Sequence, residues 1–173
     1  MKKLNFIIKC GLALLLLSFY SCESWLNVTP SDRLSEEMLF NDREGFVKAL
    51  NGVYIELNTN ELYGRNLTAG ALDVMGQYYS VASSSHAFYN YGGLVYTGND
   101  EKALFDNMWQ KCYAVIACCN TIIEKCDENK AGLSPVWKGA IKGEALALRA
   151  MLHFDMLRLF GPLTSELDKE SIP

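Results

Sequence analysis

Histidine is nearly missing from this chain, with His86 and His153 the two present in 173 residues. Neither has a partner at the spacing a histidine metal cluster needs, so a metal centre is not expected and a buried or solvated imidazole is the plainer reading. Also missing are a Gly-x-Ser-x-Gly elbow, a Walker loop and a dinucleotide-binding glycine fingerprint. With them goes any ready constellation for hydrolysis or nucleotide chemistry, and neither an enzyme nor a bound cofactor is expected. No alternating apolar and polar run of useful length marks a strand. Positive charge is short as well. The whole chain carries a net −4. Residues 1–21 hold Lys2, Lys3 and Lys9 and no acid, so removing them leaves about −7. That balance excludes a basic footprint for nucleic acid and a polybasic membrane patch.

What is present begins at the N-terminus. Lys2, Lys3 and Lys9 form a positive region, Gly11 to Phe19 an apolar one, and the small residue Ser21 precedes Cys22. This is the three-part layout of a secretory signal. The apolar run is shorter than the about 20 residues a membrane-spanning helix needs. A cysteine directly after the small residue resembles a bacterial lipoprotein signal, in which the peptide is cut before the cysteine and the cysteine is lipidated. The expected organisation is therefore a signal peptide over 1–21, a lipidated tether over 22–34, and a folded domain over 35–173. Membrane contact comes from lipid alone.

Six cysteines invite disulfide arithmetic. Cys10 leaves with the signal and Cys22 takes the lipid. Cys112, Cys118, Cys119 and Cys126 fall on one predicted helix. Steps of seven residues rise about 10 Å, beyond the about 7 Å between Cα atoms that a disulfide allows. One straight helix cannot gather these thiolates on a zinc either. Small, buried, unbridged residues on a packed face are expected.

Helical periodicity dominates the rest. Asn41 is the expected cap with Glu44 as its reciprocal partner, and Phe46, Leu50, Val53, Tyr54 and Leu57 follow on one face. A short turn is predicted over Ser35–Phe40. Leu67–Met75 reads as a helix weakened by Gly70. Ser80–Ser85 and the aromatic, glycine-rich stretch 86–96 read as loop. A long helix is predicted from Asp100 to Cys126, capped by Asn99, with Trp109, Tyr113, Ile116, Asn120 and Ile123 as its stripe, broadened by Cys112, Val115, Cys119 and Ile122. Ser134 and Pro135 start another helix, which Gly161 and Pro162 stop. Its apolar residues surround it, a pattern expected of a helix buried by neighbours. Gly139 and Gly143, four apart, predict close packing of two helices. The fold class is all-α, built of antiparallel helical hairpins with an irregular aromatic-rich loop segment.

The block Gly143-Glu144-Ala145-Leu146-Ala147-Leu148-Arg149-Ala150, continuing through Phe154, Leu157 and Phe160-Gly161-Pro162, resembles the SusD/RagB family pattern. Trp109-x3-Tyr113-x2-Ile116-x3-Asn120 and Leu50-Asn51-Gly52-Val53-Tyr54 look like that family's preceding helices. The proline stands one or two positions early. The resemblance implies a lipid-anchored outer-membrane protein of Bacteroidetes that faces outward. It implies a mostly helical, tetratricopeptide-like fold, no enzymatic activity, and capture of glycans or other oligomeric nutrients. Its implied partner is a TonB-dependent SusC-like transporter. It also implies a longer protein, of which this chain matches the N-terminal part; the ending Ser171-Ile172-Pro173 looks like mid-protein sequence. The rival expectation is a helical-repeat scaffold lipoprotein that binds envelope proteins and no nutrient.

Candidate ligand contacts are aromatic. Sugar rings present flat C–H faces and tyrosine supplies a matching face with a hydroxyl. Tyr89, Tyr91 and Tyr96 are expected to stack, with Asp73, Asn90 and Asn99 as polar partners and Tyr78, Tyr79 and Phe88 nearby. Packing of the loop onto the helices is the competing role for each. Glu144 and Arg149, five apart, do not share a helical face and are expected to form cross-helix pairs. Arg149 with His153, and Asp155 with Arg158, stand at pairing distance along the helix.

Overall fold

A computed structural model describes residues 36–161. The expected signal over 1–21, Cys22 and the expected tether, Ser35, Pro162 and the C-terminal residues lie outside the described residues. Among the described residues six helices follow one another: α1 Glu36–Leu39, α2 Arg43–Leu57, α3 Ala71–Met75, α4 Tyr89–Gly92, α5 Asn99–Glu128 and α6 Pro135–Phe160. No strand occurs among the described residues, and the class is all-α.

α5 and α6 form the expected antiparallel hairpin. Cross-helix pairs run in opposite order along the two: Tyr113 with His153, Asn120 with Arg149, and Asp127 with Lys142. Asn129 ends α5 in the left-handed conformation, at φ 48°. Its side chain then closes the turn, since Oδ1 accepts from the Leu133 N–H at 2.8 Å and Nδ2 donates to the Leu133 carbonyl. Asparagine tolerates this backbone better than most residues. Ser134 caps α6 by accepting from the Trp137 N–H, with Pro135 in the first turn. α2 lies across the pair. It runs parallel to α6, with Arg43 over the Trp137 ring and the Tyr54 hydroxyl donating to Glu144 at 2.5 Å. α5 runs the opposite way: Lys125 pairs with Glu36 of α1, just before α2, and Lys111 with Glu56 near the end of α2.

Phe46, Leu50, Val53 and Leu57 from α2 meet Met108, Cys112, Val115, Cys119 and Ile122 from α5, and Ile141, Ala145, Leu148, Leu152 and Met156 from α6. The centre of the α5 stripe is thus the cysteine-bearing line. Trp109 and Asn120, expected in that stripe, are exposed, and Tyr113 and Ile123 are half-buried. Cys112, Cys119 and Cys126 are buried and unbridged, but Cys118 points to solvent, one helical step off the packed face. Burial pushes the Cys112 thiol up to about 12 and the Cys119 thiol up to about 11, because removal from water penalises the thiolate.

Three further expectations change in detail. The cap of α2 is Asp42, whose Oδ1 accepts from the Gly45 N–H at 2.8 Å, so the helix starts one residue later than Asn41 implies. Gly45 is required there because a Cβ would run into the Leu39 carbonyl of α1. Gly98, not Asn99, caps α5. The helix predicted from Leu67 shortens to α3, beginning after Gly70, whose backbone breaks the run.

The largest correction concerns α6. Among the described residues its neighbours cover one side alone. Val136, Leu146, Phe154 and Leu157 remain exposed, and a Cβ on Gly139 or Gly143 would meet open space. No described helix is long and apolar enough to cross a membrane.

Candidate functional site

The segment between α2 and α5 carries the predicted site residues, and the structure sorts them into two groups. Tyr91 is inside, at 2% exposure. Its ring packs edge-on against Phe88 and Phe105 and tilted against Tyr96. It offers no open face for stacking and acts as the post on which the segment stands. Burial, with the Glu101 and Asp100 carboxylates nearby, pushes its hydroxyl up to about 12. The short helix α4, Tyr89–Gly92, turns it inward; the stretch reads as loop in the sequence because its glycines hide a single helical turn. Tyr96 is half-buried against Phe105, and burial raises its pKa too. The ring chain continues through Phe105 to Phe160 and Trp109, so the segment is tied to both long helices by edge-to-face contacts, an arrangement favoured by the aromatic quadrupole.

Tyr89 is on the outside, at 42% exposure, beside the exposed Leu94 and Val95. Tyr78 is the most exposed tyrosine of this region. Tyr79 is exposed as well, but its hydroxyl donates to the carbonyls of Ala69 and Gly70. Of the expected polar partners, Asn90 is exposed but its amide is already engaged: Nδ2 donates to Glu101 Oε1 at 2.7 Å. Asp73 is half-buried in α3, and Asn99 is exposed at the start of α5. The structure brings Tyr89, Asn90, Tyr91, Tyr96 and Asn99 to one end of α5. Asp73 stands apart in α3, which Gln77 fastens to α4.

Two residues that the sequence does not single out hold this arrangement. Glu101 is a buried carboxylate, 6% exposed, and its side chain folds back against Gly98, where a Cβ would collide with Oε2. Gly98-x-x-Glu101 has capping-box spacing, a signal that becomes legible once the cap is placed at 98. Gln77 sits at φ 59° and Leu94 at φ 55°. A non-glycine residue there costs free energy and is held only by its surroundings. Gln77 Nε2 donates to the Gly92 carbonyl at 2.9 Å and to the Val74 carbonyl.

Beside the aromatic segment lies an open groove of about 230 Å³, lined by Glu61, Arg65, Asn66, Asp100 and Asn107 with Ala103 and Leu104. Arg65 links the two features, since its guanidinium stands 5.7 Å from the Phe88 ring centroid and its Nε donates to Asn66 Oδ1. The groove offers amide, carboxylate and guanidinium groups; the segment offers ring faces. That chemistry suits a ligand with many hydroxyls. A second depression, of about 200 Å³, is lined by Glu36, Glu37, Lys125, Glu128 and Lys130, and several of these are already engaged in ion pairs.

Elsewhere the charged candidates of α6 take structural partners. Glu144 receives the Tyr54 hydroxyl, and Arg149 donates to Asn120 Oδ1 at 2.8 Å. Both are cross-helix pairs as expected, although Glu144 is exposed rather than buried. Asp155 receives the Tyr63 hydroxyl at 2.6 Å and pairs with Arg158. Among the described residues no group of three His, Cys, Asp or Glu is arranged to hold a metal.

Comparison with known proteins gives two findings. A SusD-like family model, described as starch-binding and associating with the outer membrane, matches residues 24–172. A curated relative from Formosa agariphila, "SusD-like protein P2", is 26% identical over 166 residues, covering 93% of this chain and 30% of the relative. The chain thus spans about 30% of the length of that relative. No solved structure matches.

Proposed function

The chain belongs to the SusD-like family, and from that premise we propose that it is the N-terminal helical part of a longer outer-membrane protein that captures glycans or related oligomeric nutrients. The reaction class is binding, not catalysis. The observation that carries this reading is the exposed Tyr89 ring, in a segment pinned from below by Tyr91 and set beside a groove of amide and charged groups. A sugar ring gains dispersion on a tyrosine face and needs donors and acceptors for its hydroxyls, and the two features supply both.

Residues 1–21 act as a signal, Cys22 takes lipid, and residues 22–34 tether the domain outside the cell. Captured nutrient passes to a TonB-dependent SusC-like transporter in the same membrane. The family match over nearly all of the chain supports this arrangement, as does the three-part N-terminal layout.

The test is glycan binding by the native gene product, with starch and other polysaccharides in affinity electrophoresis. Tyr89→Ala is expected to weaken binding by about 1 kcal/mol, the scale of one aromatic contact, with helicity unchanged by circular dichroism. Retardation by no polysaccharide, together with capture of envelope proteins, would favour the scaffold reading instead.

A further inference from the structure

The groove beside the aromatic segment carries three charged side chains that do not pair with one another. Glu61 and Arg65 come from the connection after α2, and Asp100 from the first turn of α5. Ion pairs are frequent elsewhere among the described residues, yet none of them includes Glu61, Arg65 or Asp100. Two carboxylates against one guanidinium leave the groove with one net negative charge. Glu101, the next residue after Asp100, is a further carboxylate, buried and bonded to Asn90. Burial first, and then Glu101 and Asp100, raise the Tyr91 hydroxyl, a second sign that the start of α5 is a negative region. Lys102 follows them in α5 but does not line the groove.

Asn66 adds a donor. It lines the groove although its exposure is 4%. Its Oδ1 accepts from Arg65 Nε, and its Nδ2 finds no partner among the described residues. No fully buried side-chain donor is left unsatisfied in those residues, so Nδ2 keeps access to solvent on the side of the groove. The amide of Asn66 and the guanidinium of Arg65 therefore offer N–H groups, while the carboxylates of Glu61 and Asp100 only accept. A sugar hydroxyl both donates and accepts, so neighbouring hydroxyls satisfy both kinds of group at once. A uronate or sulfate only accepts; it meets Arg65 but lies against two carboxylates. An ammonium only donates, and leaves Asn66 and Arg65 unmet.

We propose that this groove selects neutral, hydroxyl-rich glycans and rejects acidic ones, and that Glu61 and Asp100 set the selectivity. The proposal rests on the reading of this chain as glycan-binding. The two carboxylates act twice: they accept hydroxyl protons from a neutral sugar, and they repel a uronate or sulfate brought into the same space. Placing like charge against the wrong partner is a general route to specificity. Arg65 does not reverse the sign, since it balances one of the two carboxylates and its Nε is held by Asn66.

Matched polysaccharides test it on the native gene product: starch, pullulan and dextran, each beside its carboxymethyl derivative, in affinity electrophoresis. Each pair shares a backbone and differs in charge. At about 10 mM salt, where screening is weak, a neutral polymer is expected to bind about tenfold or more tightly than its carboxymethyl form. Glu61→Gln with Asp100→Asn should bring that ratio to about threefold or less, as should salt of about 0.5 M, which screens the charges. A control with Glu37→Gln and Glu124→Gln removes as much charge away from the groove and should leave the ratio unchanged. Equal or tighter binding of the carboxymethyl form by the unaltered protein overturns the proposal while leaving the glycan-binding reading intact. So does a ratio that the groove variant leaves unchanged, or that the control lowers as far. Binding of no polysaccharide, neutral or acidic, overturns the glycan-binding reading itself, and the selectivity with it.

Discussion

The hairpin α5–α6 and the aromatic segment from α3 to α4 are held by different means. The hairpin is a continuous apolar seam in which Cys112, Cys119, Leu152 and Met156 are buried side by side, so its geometry comes from periodicity and packing. The segment between Ala71 and Gly98 has few buried residues, Ala71, Val74 and Tyr91. Besides the ring contacts of Tyr91 and Tyr96 with Phe105, single polar bonds fasten it: Gln77 to Gly92, Tyr79 to Gly70, Asn90 to Glu101. It also holds Gln77 and Leu94 in the left-handed region. The hairpin is a scaffold that tolerates the loss of any one surface group. The segment is a surface held in shape by a few bonds, as a ligand platform on a rigid base would be.

Breaking each in turn sharpens the contrast. Leu152→Ala removes a fully buried side chain from the hairpin and is expected to cost about 2–5 kcal/mol, read as a shift in the urea midpoint of the whole helical signal. Asn90→Ala takes away the amide that donates to the buried Glu101 carboxylate. The expected cost is about 1–3 kcal/mol, and hydrogen exchange should locate it at 89–101 with the hairpin amides unaffected. Global loss of protection in that variant would mean that the segment and the hairpin are one cooperative unit. Leu94→Gly relieves a positive φ and should raise local protection by up to about 1 kcal/mol; a loss of stability would show that the exposed leucine side chain contributes more than its backbone strain costs.

The site residues divide along the same line. Tyr89, Asn90, Tyr91, Tyr96 and Asn99 are all visible in the sequence as aromatic and amide groups near one point in the chain. Which of them faces outward is not, because α4 is a single turn whose direction depends on where Phe105 and Glu101 stand on α5. Gln77 and Glu101 go unmarked for a related reason. Their roles are hydrogen bonds to groups 15 and 11 positions away in the chain, and no local pattern announces such bonds. Arg65 and the polar groove likewise exist only once the connection after α2 is folded against the start of α5.

The amino-acid sequence by itself determined the all-α class, the α5–α6 hairpin with its Ser134-Pro135 start, the buried Phe46, Leu50, Val53 and Leu57 of α2 (Tyr54, expected beside them, is exposed) and the absence of a bridge within one helix. Each follows from short-range rules: a period of 3.6 residues, a side chain that satisfies orphan N–H groups, and a rise per residue that separates cysteines too far to bond. The tertiary structure alone decided which side of α6 is covered. Its apolar residues surround the helix, so periodicity could not choose a face. The choice was made by where α2 and α5 lie, and a face becomes buried only when another element is present to exclude water from it.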